Sequence, residues 1–202
     1  MRALALNGTL KPSPAKSSTE ALTRIVLDEL SRQAVDCEMV RLVDYDIAPG
    51  VVSEAVREGD AWPQIHEKIL AADILILATP TWLGQPSSII KCALERMDAL
   101  LSETDADGLP AAYNKVAGFV VTGNEDGAHH VIAEMAQGVI DYGFTVPGQA
   151  WTYWNKGPGP GEEVYLTTDE REWSNTTGEG AAQNLCAVAH ALSVNPMGAP
   201  PS

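Results

Sequence analysis

The chain has 202 residues, 45% hydrophobic and 20% charged, which is the make-up of one folded domain around a single core rather than of a disordered polymer. Thirteen Lys and Arg against 27 Asp and Glu give a formal charge of −14, which argues against binding nucleic acid or an anionic membrane through the overall field. The three cysteines, Cys37, Cys92 and Cys186, form no ligand-spaced pair, so neither a zinc site nor a disulfide framework is expected, and no metal is assigned.

In chain order, residues 3–6 make an apolar run short enough for a buried strand, and residues 7–19, NGTLKPSPAKSST, follow as a polar loop. Leu22, Ile25, Val26 and Leu30 then mark one face of a helix over residues 17–34. A strand, a polar loop and a helix start make an anion site, because orphan N–H groups and the helix dipole both point out of a helix N-terminus. Thr9, Ser17, Ser18 and Thr19, with Lys11 and Lys16 beside them, fit that reading; an ordinary strand-to-helix loop with a Ser or Thr cap is the alternative.

Residues 37–42 read as a second strand, residues 44–59 as irregular with turn signals at Pro49 and Gly50, and residues 62–71 as a short helix. Residues 74–78 are continuously apolar, as suits a central parallel strand covered on both faces. TPTWLGQP follows as a loop, since Pro80, Gly84 and Pro86 interrupt regular structure, and a long amphipathic helix runs over residues 89–101. Residues 116–121 give another buried strand ending in TGNEDG, and Val131, Met135, Val139 and Tyr142 stripe the next helix. A last strand is expected to start at residues 144–146 before Pro147 and Gly148, with WTYW at residues 151–154 after it. Residues 155–177 read as an irregular surface extension, the final helix carries Leu185, Val188, Ala189 and Leu192 on one face, and the tail 195–202 should fray.

Alternating strands and helices imply an α/β three-layer sandwich with helices on both sides of a parallel sheet. A single domain with five strands in the order 2-1-3-4-5 is the topology adopted. Ligands of such sheets bind beyond the carboxyl ends of the strands, where the strand order reverses. That edge collects the first loop, TPTWLG and TGNEDG.

These three loops together resemble the flavodoxin-like NADPH-dependent FMN reductases, related to the Trp-repressor-binding type of quinone reductase. The resemblance covers nearly the whole chain up to about Trp154 and returns in the last helix. It implies a flavodoxin-like fold, bound FMN, and NADPH or NADH as reductant. By that resemblance Thr9, Leu10, Lys11, Ser17, Ser18 and Thr19 surround the FMN phosphate. Pro80, Thr81, Trp82, Leu83 and Gly84 lie along the ribityl chain and ring, and Thr122, Gly123, Asn124, Asp126 and Gly127 border the ring's other edge. The first loop is longer and richer in proline than the family's compact versions.

The residues themselves are compatible with a flat, apolar-faced ligand that is polar at one edge. Trp82 can be its wall or a core or interface tryptophan, and the three glycines allow close backbone approach or simply turn. Asn124 and Asp126 serve equally as caps for the helix starting near Gly127. His129 and His130 read as helix-surface or subunit-contact residues, since hydride transfer belongs to the cofactor and needs no protein base; no catalytic residue is assigned. Trp151, Tyr153 and Trp154 form either a subunit interface or a lid over a flavin, and the interface reading implies a homodimer or homotetramer.

No GxGxxG follows a strand, and neither GxxxxGK, HExxH nor GxSxG occurs. The expectation is a cytoplasmic FMN-dependent oxidoreductase carrying hydride from NAD(P)H to a quinone or other small acceptor, with no nucleic-acid or membrane partner. The alternatives are a non-catalytic flavodoxin-type electron carrier, to which an acidic surface is suited, and a scaffold that has lost the cofactor.

Overall fold

The computed structural model describes residues 1–199; residues 200–202, the end of the tail expected to fray, lie outside the described residues. The elements run β1 (Arg2–Asn7), α1 (Ser18–Arg32), β2 (Asp36–Arg41), α2 (Trp62–Ala71), β3 (Ile74–Trp82), β4 (Gln85–Pro86), α3 (Ser88–Arg96), β5 (Val116–Gly123), α4 (Ala128–Tyr142), β6 (Trp151–Asn155) and α5 (Glu172–Val194).

Successive strand side chains point to opposite faces, and the apolar residues divide accordingly. Leu4, Leu6, Leu75 and Leu77 pack with α2, α3 and α4, whereas Ala3, Ala5, Ile74, Ile76 and Ala78 pack with α1 and α5. The sheet order is β2-β1-β3-β5-β6, with the ladders along this path parallel. Counting only the long strands, this is the expected 2-1-3-4-5 order, and β4 is a two-residue addition that pairs antiparallel with β3.

Four local features differ from the sequence reading. TPTWLGQP is not a free loop: β3 continues to Trp82, and Leu83 and Gly84, at φ 52° and 71°, make a two-residue hairpin turn into β4. The helix expected over residues 89–101 tightens into a 3₁₀ turn at Met97–Leu101. The last strand is Trp151–Asn155; Thr145 makes only an isolated bridge to Val116, because Pro147 cannot donate to a continuing ladder. Finally, α5 begins at Glu172, so residues 172–177 of the expected extension are helical, and Tyr165 and Thr168 within it are buried.

In the tail, Met197 N–H donates to Asn114 Oδ1 at 2.7 Å, and Asn114 Nδ2 donates to Met197 O at 3.3 Å. The three cysteines are free thiols, and burial pushes those of Cys37 and Cys92 above the ordinary range.

Candidate functional site

At the carboxyl edge of the sheet, between the loops after β1, β3 and β5, lies a mainly apolar cleft of about 560 Å³ counting its open mouth. Its position follows from topology: β1 and β3 are neighbours whose connections leave toward opposite faces, and a crevice opens between them. One wall is the first loop and the start of α1, with Thr9, Leu10, Lys11, Ser17, Ser18 and Thr19. Pro80, Thr81 and Trp82 from the end of β3 and Thr122, Gly123 and Asn124 from the end of β5 supply the others.

The α1 end has the geometry of an anion seat. Ser17 caps the helix, its Oγ accepting from Glu20 N–H at 3.2 Å. The N–H groups of the first turn have no intrahelical acceptor and carry the positive end of the dipole. The Thr19 and Thr122 hydroxyls meet at 2.8 Å in a buried pair that ties this turn to β5.

The proline-rich first loop is fixed from outside. Arg41 Nη1 donates to the carbonyls of Lys11 at 3.1 Å and Ala15 at 2.9 Å, while Nη2 pairs with Glu20. Asp44 accepts from Ser13 N–H at 2.8 Å and Ser13 Oγ at 2.5 Å, and these bonds hold its carboxyl below the ordinary range, the hydroxyl contributing most. At the base of the loop Asn7 Oδ1 accepts from Thr9 N–H at 3.0 Å, and Ser87 Oγ donates to Gly8 O at 2.6 Å. A Cβ at Gly8 would sit 2.8 Å from Ile90 Cβ, so only glycine lets the loop lie this close to α3.

Four expected residues fall outside the cleft lining. Leu83 is carried past the mouth by the hairpin turn and is 90% exposed. Gly84 and Gly127 pack backbone to backbone, since a Cβ at Gly127 would approach Gly84 Cα to 2.7 Å. Asp126 lies against Gly157, where a Cβ would meet Asp126 Cβ at 2.8 Å. Neither Asn124 nor Asp126 caps α4, whose N-cap residue is Gly127 at φ 107°, without a side-chain cap.

Three further residues line the cleft: Trp154, which the sequence reading offers only in its alternative of an aromatic lid, and Val164 and Tyr165, which it does not offer. Trp154 separates from its neighbours, because alternation in β6 sends it and Thr152 into the α1/α5 face while Trp151 and Tyr153 face α4. Those two stack at 5.8 Å, with His129 edge-on to both and Trp173 5.0 Å from Tyr153. His130 Nε2 lies 3.0 Å from Gln85 Nε2, and neither histidine lines the cleft. The only mark of Val164 and Tyr165 in the sequence is the apolar run VYL within the polar segment EEVYLTTDE, which does not tell which wall it will join.

Whether a flavin phosphate fits can be judged from two features. Thr81 is 2% exposed, lines the cleft, and its Oγ1 has no hydrogen-bond partner among the described residues. Such an orphan hydroxyl is a standing offer to a ligand. At Gly123 a Cβ would fall 2.2 Å from Thr81 Cγ2, so the β5 wall comes close only as bare backbone. An apolar slot with one unsatisfied hydroxyl and an anion seat at its end suits a planar ligand carrying phosphate.

A five-stranded parallel sheet of this order with a cleft at its switch point defines a flavodoxin-like protein. More narrowly, the chain belongs to the NADPH-dependent FMN reductase family, whose profile matches residues 1–158. It is similar to the 8-demethyl-8-aminoriboflavin-5'-phosphate synthase of Streptomyces davaonensis, at 37% identity over 172 residues, 80% of this chain and 66% of that protein. It is also 35% identical over 199 residues, 95% of its length, to 29% of the divalent metal cation transporter MntH of Mycobacterium bovis. The chain thus spans 29% and 66% of the length of these two relatives. Among the described residues no helix is long and apolar enough to cross a membrane, and no group of three or more His, Cys, Asp or Glu could hold a metal ion. The crystal structure of RosB with bound 8-demethyl-8-formylriboflavin-5'-phosphate superposes with a TM-score of 0.84 at 32% identity, covering 98% of this chain and 82% of that one.

Proposed function

We propose that this cleft binds FMN and that the chain is a cytoplasmic oxidoreductase passing electrons from NADH or NADPH to a quinone or another small acceptor. The observation that carries the reading is the apolar cleft with the orphan Thr81 hydroxyl, ending at the capped start of α1. When bound, FMN supplies the hydride chemistry, accepting from a reduced nicotinamide and donating to the acceptor. The protein's part is to hold and orient.

Ser17, Ser18 and Thr19 with Thr9 would receive the phosphate through hydroxyl and backbone donors, and Lys11 adds charge at the rim. Thr81 would bond a polar atom of the ligand, and Trp82, 51% exposed at the mouth, would cover its apolar surface. No base is required of His129 or His130. The face formed by Trp151, Tyr153 and the 52%-exposed Trp173 supports association into at least a dimer through the edge strand β6.

Titration of purified protein with FMN, followed by anaerobic NADPH, tests the reading: micromolar binding and rapid bleaching are expected. A protein that binds no FMN refutes it, and binding without bleaching favours a carrier. The likeness to the Streptomyces synthase supports a second reading, in which flavin phosphate is the substrate and is altered at its ring. Mass analysis of the flavin recovered after turnover separates the two.

A further inference from the structure

Residues 156–171 leave β6 and return to α5 as a strap across the α1 side of the cleft. The strap is anchored along its length. Gly161 N–H donates to Asn124 O at 2.8 Å, and Asn124 Nδ2 returns a bond to Gly161 O at 2.6 Å. Tyr165 packs edge-on against Trp154 and donates its hydroxyl to Asn175 Oδ1 at 2.6 Å, while Trp154 Nε1 donates to Glu170 O at 3.0 Å. Lys156 bonds both Glu163 and Glu170, at 3.0 and 2.6 Å.

The strap divides space at the anion seat. Val164 and Tyr165 line the cleft, whereas Leu166 lines a separate outer depression with Lys16, Glu20, Arg24 and Arg41. The two concavities have only Ser17 in common. A ligand whose phosphate ends the molecule stays within the cleft. One whose phosphate continues into a pyrophosphate and second nucleoside has to pass the partition into the outer depression.

We propose that residues 164–166 are a specificity determinant: they admit a flavin carried on a phosphate monoester and reject the flavin dinucleotide. The proposal rests on the flavin-phosphate reading of the cleft. Opening the partition joins the cleft to a depression that carries three cations against the carboxylate of Glu20, so a second phosphate gains a place.

The test is fluorescence titration of the wild-type chain and of Val164→Gly/Leu166→Gly with FMN and with FAD. The double variant keeps Tyr165 and its two anchors; Leu166→Ala, a milder change at a half-buried side chain, serves if it does not fold. The wild type should bind FMN at least about 100-fold more tightly than FAD, roughly 2.7 kcal/mol. The variant should narrow that ratio at least about tenfold through stronger FAD binding. FAD binding to the wild type within about tenfold of FMN, or an unchanged ratio in the folded variants, overturns the partition while leaving FMN binding intact. Absence of FMN binding to the wild type overturns the function proposed above and this inference with it.

Discussion

Thr81→Val separates what a side chain does for the fold from what it does for a ligand. The change keeps shape, volume and β-branching on the β3 strand and deletes only a hydroxyl that is buried and unpartnered among the described residues. In the free protein such a group carries a desolvation penalty of about 1–3 kcal/mol, part of which the valine relieves. A domain of this size shifts its Tm by about 2–4 °C per kcal/mol, so the ligand-free variant should melt at or slightly above the wild-type temperature. With FMN the sign reverses. A hydrogen bond worth about 0.5–1.5 kcal/mol is lost, and Kd should rise about twofold to tenfold. Melting curves with and without FMN, together with a fluorescence titration, read both effects. A variant that melts several degrees lower without ligand, with Kd unchanged, would show that the hydroxyl serves the fold and not a ligand.

Arg41→Met removes the donor that fixes the Lys11 and Ala15 carbonyls; FMN affinity should fall by about tenfold, the worth of a hydrogen bond to a charged group, and riboflavin affinity by less. Equal losses for the two ligands, measured by fluorescence quenching, would count against a role in shaping the phosphate loop. Arg96→Met leaves Asp60 buried without its ion-pair partner, both side chains being 0% exposed, and should cost about 3–5 kcal/mol in urea unfolding. Adding Asp60→Asn to that variant should recover part of the loss. Burial alone would raise the Asp60 pKa, but the N–H groups of Val56, Trp62 and Ala48 and the Arg96 charge together lower it. Its stabilising contribution is therefore complete above the unfolded value of about 3.9 and disappears as pH falls through the lower folded value. Urea midpoints between pH 5 and pH 3 should fall, and a flat profile would refute the assignment.

Much of this architecture is legible from periodicity because burial on two faces leaves continuous apolar runs. Helix α2 occupies residues 62–71 as read, and β3 declares itself in ILILA. What periodicity misses is structure maintained by distant partners. The start of α5, EWSNTTGEG, has poor helical propensity, yet Ser174 Oγ bonds Tyr153 O, and Thr152 Oγ1 bonds both Ser174 O and Thr177 Oγ1. Gly178 lets α5 approach β6 and α1, since a Cβ there would already touch Thr152 and Ile25 at 3.3 and 3.5 Å. The hairpin turn was hidden because a leucine seldom adopts positive φ. Phe144 reads as strand because it is buried, although it fills the α4 face of the core and makes no ladder.

The cleft itself was visible because loop composition marks it, and twelve of the sixteen expected lining residues are brought together there. Val164 and Tyr165 were not visible, since nothing in a segment without period says which wall it will lie against.

The hydroxyl pair of Thr19 and Thr122 joins positions 103 residues apart. A growing chain that has emerged only as far as α3 possesses the anion loop but lacks the strand that braces it. On the proposed FMN reading, capture of the cofactor would wait until β5 has been made and paired, and an FMN-loaded chain would be one whose sheet is assembled at least that far. Because a ligand that recognises only the completed arrangement stabilises it by RT ln(1 + [L]/Kd), flavin supply would act on the lifetime of the whole domain and not on a single loop.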